Sequence, residues 1–182
     1  MWRADGPATG MYAFWSDTRL SSTIATARLS VIGTLHMEHA HDYPDAIEAA
    51  KVGSYSPVAK AGGGLVWDAV LEYRVWCHPE RGAPDTADGN DYYHAFATYA
   101  EAEEFARRTQ GAEEPLALIL QEEYLDEPEP GCYMHMKERP IAEWPVEFLR
   151  RPRRTPRTIP NFLSPNAPPN RLSILRGLEQ NR

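Results

Sequence analysis

Asp91-Tyr-Tyr-His-Ala-Phe-Ala-Thr-Tyr-Ala-Glu-Ala-Glu-Glu-Phe-Ala-Arg-Arg-Thr-Gln110 carries a strand directly into a helix. Its aromatic-rich start, Asp91–Ala97, fits a pleated, half-buried surface and predicts a strand. Thr98 then stands three residues before Glu101, the spacing of a capping box, in which the Thr hydroxyl and the Glu carboxylate each satisfy an unpaired backbone N–H. Tyr99, Ala102, Phe105 and Ala106 fall on one face at helical spacing. The helix is predicted from Tyr99 to about Gln110, with Gly111 just beyond it as a left-handed C′ residue.

Upstream, Leu71-Glu-Tyr-Arg-Val-Trp-Cys-His78 alternates with period two, placing Leu71, Tyr73, Val75 and Cys77 on one side. Pro79, which lacks an N–H, ends that strand. Downstream, Leu116–Gln121 is a continuous apolar run suited to a central strand, and Asp126-Glu-Pro-Glu-Pro-Gly131 reads as a turn. Cys132–Met136 alternates again, with Cys132, Met134 and Met136 together. Glu143–Leu149 groups Trp144, Val146 and Phe148, although Pro145 demotes it to an edge or irregular segment. The order strand, strand, helix, strand, strand, with a fifth strand in reserve, predicts an α+β core over residues 66–149. In it, one helix packs on a small, mostly antiparallel sheet. One helix covers one face of such a sheet. The other must meet the N-terminal segment, the C-terminal arm or a second copy of the chain.

Residues 1–65 lack sustained periodicity. Ser30–Leu35 reads as a short strand, Asp45–Lys51 as one or two helical turns, and Lys60-Ala-Gly-Gly-Gly64 as a flexible linker. We therefore expect a poorly structured N-terminal extension. The glycine triplet before Leu65 and Val66 fits a translated ribosome-binding site, so the expected native start lies near residue 65. Residues 150–182 form a Pro/Arg-rich arm. They open on Arg150-Arg-Pro-Arg-Arg-Thr-Pro-Arg157 and hold one short helical stretch, Asn170–Gln180, with Leu172, Leu175 and Leu178 at helical spacing.

The chain has 182 residues, of which 42% are apolar, enough for one core and too many for wholesale disorder. No apolar run approaches membrane-spanning length. The net charge is −7, against the basic balance of a generic nucleic-acid binder. That value conceals a segregation: residues 68–149 carry 19 acids and 6 bases, whereas residues 150–182 carry 8 bases and 1 acid. The well-separated Cys77 and Cys132 form no CxxC motif and read as buried reduced thiols. With no signal peptide visible, the expected compartment is the cytoplasm.

Several groups could carry chemistry. His36, His39 and His41, with Glu38 and Asp42, are metal-ligating residue types, but neither helix nor strand spacing puts the three imidazoles on one face; the competing reading is a solvated loop. Cys77 with His78, and Cys132 with His135, have opposite strand parity and do not form nucleophile pairs by themselves. The acidic run from Glu101 to Glu129 fits a solvated face. Few aromatics interleave with the arginines of the arm, which argues against single-strand nucleic acid. This leaves Arg150, Arg151, Arg153, Arg154 and Arg157 as the candidate binding residues. They can dock on the chain's own acidic domain, join a homodimer, or take an acidic protein partner. The expected function is a binding or self-association module that needs no cofactor.

The blocks Tyr73–Asp85, Asp91–Tyr99, Gly111–Leu118 and Thr155–Leu163 resemble short bacterial proteins labelled as GNAT-type acetyltransferases, over about residues 69–178. The resemblance implies an alternative, acyl-CoA-dependent N-acetyl transfer, with acetyl-CoA as cofactor. Such enzymes cradle the pyrophosphate on backbone N–H groups where a helix begins. Arg108-Thr-Gln-Gly-Ala-Glu113 is the nearest core match, but it closes a helix and ends on Glu. Arg3-Ala-Asp-Gly-Pro-Ala8 fits the pattern literally, but has no preceding strand and loses a donor at Pro7. No catalytic residue is carried over.

Overall fold

The alternating run around Tyr73 becomes the longest strand of a five-stranded sheet. In this computed structural model, residues 43–61 and 63–179 are described, and all lie in the second of the chain's two units, residues 37–182. The strands are β1 (Lys60–Ala61), β2 (Ala69–Cys77), β3 (Tyr92–Phe96), β4 (Leu116–Leu120), β5 (Tyr124–Glu129), β6 (Cys132–Met136) and β7 (Ile141–Pro145). The helices are α1 (Tyr99–Arg108), α2 (Thr158–Leu163) and α3 (Arg171–Leu175), with 3-10 turns at Ala49–Lys51, Pro79–Arg81 and Val146–Arg150. The main sheet runs β1-β7-β4-β2-β3. Its pairs are antiparallel except β1 with β7, and β5 and β6 form a separate antiparallel ribbon. The fold is α+β.

Period-two geometry sorts the sheet into two faces. Tyr73 and Val75 of β2, Ala117 and Ile119 of β4, and Ala142 and Trp144 of β7 share the face under α1. The helix lays Ala102 flat into this core, with Tyr99, Phe105 and Ala106 around it. Its capping box is formed: Thr98 Oγ1 accepts from the Glu101 N–H, and Glu101 accepts from the Thr98 N–H. Tyr73, Ile119 and Trp144 are fully buried, and Ile119 alone stabilises the fold by roughly 1.5–3 kcal/mol through the apolar area it removes from water.

The opposite face carries Glu72 and Arg74, both without exposed surface, together with Glu143. Arg74 donates to Glu72 Oε1 (2.7 Å) and Glu143 Oε1 (2.7 Å), and its guanidinium lies 4.4 Å from the Tyr93 ring centroid. The segment 53–57 covers it. Arg74 Nη2 donates to the Ser56 carbonyl (2.7 Å), and the Gly53 N–H donates to Glu72 Oε2 (2.7 Å). Burial alone would lower the Arg74 pKa; the bonds to Glu143 and Glu72 outweigh it and hold the pKa above its ordinary value.

For residues 43–61 this corrects the expectation of a poorly structured extension, while residues 1–42 lie outside the described residues. Residues 43–61 are bonded to the core: Pro44 O accepts from Tyr73 Oη (2.6 Å), the Ala46 N–H donates to Ala97 O (2.8 Å), and the Ile47 N–H donates to Val70 O (2.9 Å). The segment shows no periodicity because it contributes backbone groups rather than an apolar stripe. The expected linker is also structured. Lys60 and Ala61 pair with Ala142 and Glu143, and Gly64, at φ +78°, lies so close to Gln121 that a Cβ there would fall 2.0 Å from the Gln121 Nε2. The expected strand Ser30–Leu35 and the N-terminal Arg3–Ala8 stretch lie outside the described residues.

A second, smaller core joins the ribbon to the arm. Val66, Leu125, Ile159, Phe162 and Leu175 are buried together, and Tyr133 meets Phe162 edge-on at 4.8 Å. Four expectations need correction. Tyr124–Glu129 is a strand rather than only a turn. Glu143–Leu149 divides into β7 and a 3-10 turn, in keeping with Pro145. Cys132 is exposed, because β6 turns Tyr133 inward and Cys132 and Met134 outward. The last helix is shorter than expected, ending at Leu175 and leaving Leu178 exposed.

Candidate functional site

The arm divides its arginines by what the rest of the chain places opposite them. Arg154 Nε donates to Asp68 Oδ1 (2.8 Å) and its Nη1 to Glu123 Oε1 (2.5 Å). Bonding to Asp68 is the chief cause that raises its pKa. Its backbone N–H donates to Trp67 O (2.8 Å), while the Trp67 indole N–H donates to Arg151 O (2.9 Å), so the arm is latched at both residues. Arg151 is half-buried, with its guanidinium 3.9 Å from the Phe148 centroid and 4.9 Å from that of Trp144. Burial, then the nearby Arg176, lowers its pKa. Arg150, Arg153 and Arg157 are exposed, with no ion-pair partner among the described residues.

The arm residues Pro152 and Thr155, with α2 and α3, line a cleft of about 280 Å³ whose polar lining includes Thr155, Thr158, Asn161 and Arg171. The Arg171 guanidinium lies 5.0 Å from the Phe162 ring centroid, on the cleft wall. His135 Nε2 lies 2.5 Å from Glu123 Oε2, so Glu123 is shared between His135 and Arg154.

A second constellation lies at one end of the main sheet. His78 follows β2 and opens the 3-10 turn Pro79–Arg81, which sets Glu80 and Arg81 close by. Asp91 immediately precedes β3, whose Tyr92 pairs with Cys77. Glu113 arrives from the segment after α1, fixed by its N–H to Trp76 O (2.8 Å) and by the His78 N–H to Gly111 O (2.9 Å). Gly111, at φ +73°, is required here. A Cβ would lie 2.5 Å from the Ala83 N and 2.8 Å from the His78 O. It serves this close approach, since the helix is already capped at Thr109.

The His78 residue is 8% exposed, and Asp91 and Glu113 are much more open. Nδ1 lies 2.9 Å from Asp91 Oδ1 and Nε2 lies 2.9 Å from Glu113 Oε1. Neither oxygen lies along a ring N–H direction, so both buried ring nitrogens lack a hydrogen-bond partner. Arg81 Nη1 also donates to Glu113 Oε1 (2.9 Å). Donor atoms of His78, Glu80 and Asp91 lie within 4.8 Å of one another.

In sequence, His78 stood out only as a neighbour of Cys77, which is buried with its thiol pKa pushed up by that burial. The available signal was the short His78-Pro-Glu80 spacing; Asp91 and Glu113 are distant in the chain. His36, His39 and His41 lie outside the described residues. No helix among the described residues is long and apolar enough to cross a membrane. Comparison with family models, with curated proteins and with solved structures finds no match to this chain.

Proposed function

We propose that the protein is a non-catalytic binding module that holds an acidic segment of a partner protein on its docked C-terminal arm. The observation that carries this reading is the division of the arginine run. Arg151 and Arg154 face inward, whereas Arg150, Arg153 and Arg157 stay exposed and alternate in sequence with Pro152, Thr155 and Thr158, which line the cleft that also holds Arg171. Docking the arm removes much of its conformational freedom before any partner arrives, which lowers the entropic cost of binding. Guanidinium forks match carboxylates in geometry as well as charge, and an acidic segment complements the cationic arm where the chain's own −13 domain would repel it. The acyl-CoA alternative has less support. The first turn of the ten-residue α1 holds Glu101, whose carboxylate accepts from the Thr98 N–H at 3.2 Å, so an anion approaching that helix start meets an acid.

The test is fluorescence anisotropy of a labelled glutamate-rich peptide titrated with the full chain. The R150E/R153E/R157E variant, changed only at exposed positions, is expected to weaken binding about tenfold or more. Unchanged affinity in that variant, or no binding by the wild-type chain, overturns the proposal. A concentration-dependent dimer that the same variant dissolves would give the surface to a second copy instead of an acidic partner.

A further inference from the structure

We infer that His78, Glu80 and Asp91 form a binding site for a divalent first-row transition-metal ion, with Glu113 at the second ring nitrogen and Arg81 in reach of both Glu113 and Glu80. The argument begins with His78. A buried imidazole with both ring nitrogens unpaired is costly unless something else satisfies it. Two donors held by one ion at about 2.1 Å and near a right angle stand about 3.0 Å apart, and the second donor then lies off the axis of the ring nitrogen. The Nδ1–Asp91 pair shows this arrangement: a separation of 2.9 Å without hydrogen-bond alignment. Glu80 brings a further carboxylate within 4.8 Å of both.

On the other side of the ring Glu113 lies 2.9 Å from Nε2, also without hydrogen-bond alignment, and is held by Arg81; it adds negative charge beside the imidazole rather than a hydrogen bond to it. With a neutral imidazole, three carboxylates against one guanidinium leave two negative charges, which match a divalent cation. One imidazole and two carboxylates suit Mn²⁺, Fe²⁺ or Zn²⁺ better than an all-oxygen calcium site. The partly open carboxylates give the ion a path from solvent and leave coordination positions for water. This site is independent of the arginine arm.

The test is calorimetric titration of Zn²⁺, then Mn²⁺, into chelator-treated full-length protein. The H36Q/H39Q/H41Q variant is used as background so that the N-terminal histidines cannot contribute. One ion per chain is expected, with a metal-dependent rise in melting temperature. E80Q and D91N alter exposed carboxylates and leave the fold intact; each is expected to weaken binding about tenfold or more and to reduce that thermal shift. Unchanged affinity in both E80Q and D91N, or no saturable binding of either ion by the background protein, overturns the assignment.

Discussion

Arg74 Nε donates to Glu72 Oε1 at 2.7 Å in a place where neither side chain has any exposed surface. Removing one member of such a pair leaves the other charge buried and unpaired. R74A is therefore expected to destabilise the protein by about 3–5 kcal/mol, read by urea unfolding. The combined E72M/R74M change is expected to cost less than R74A alone, because no isolated buried carboxylate then remains at Glu72. Equal losses in the two variants would contradict the pairing.

Tyr73 and Tyr99 define an alkaline limit. Burial raises both pKa values well above the ordinary tyrosine range, assisted by Asp45 at Tyr73 and by the Glu103 contact at Tyr99. A raised folded pKa contributes stability that is fully present below the unfolded value of about 10 and is lost as pH rises above it. Ultraviolet titration of the phenols is expected to show these two ionising only with unfolding. Unfolding free energy should fall progressively above about pH 10. Complete, reversible ionisation of all nine tyrosines in the folded state would contradict this.

Gly111→Ala puts a methyl group into the backbone of Ala83 and His78 at a positive φ. The expected loss is about 1–3 kcal/mol. Because Gly111 O accepts from the His78 N–H, the variant should also shift the His78 imidazole signals in NMR spectra. Wild-type stability would show that the loop relaxes freely and that the approach is not required.

Arg154→Ala removes ion pairs to Asp68 and Glu123 that are largely shielded from water. We expect a loss of about 1.5–3 kcal/mol and faster amide exchange through α2 and α3. R150A, at an exposed position, should change stability by less than about 0.5 kcal/mol. If exchange in the arm is as fast in the wild type as in R154A, the arm is not held by this contact.

What could be read in the sequence was local. Thr98 and Glu101 announce their helix across three residues, and Tyr73, Val75 and Cys77 announce their strand by alternation. Tyr124–Glu129 was hidden because Pro128 and its acids resemble a turn, which a solvent-exposed two-stranded ribbon tolerates. The alternation of Cys132, Met134 and Met136 suggested an inner face, yet Tyr133 supplies it because Phe162 waits there from the arm. Pro44, Ser56 and Pro57 act through carbonyl oxygens, which leave no hydrophobic pattern. Which arginine faces inward depends on Asp68 and Glu123, and the His78 site depends on Asp91 and Glu113. Those meetings are made by the folded sheet and are not encoded in spacing.

The most direct measurement of the central claim follows the arginine Nε–H signals of the full chain while the glutamate-rich peptide is added. Signals from Arg150, Arg153 and Arg157 are predicted to shift with peptide, while those of Arg151 and Arg154 stay near their free positions. Equal movement of all five would mean a loose basic tail, and movement of none would remove the arm from the function of the protein.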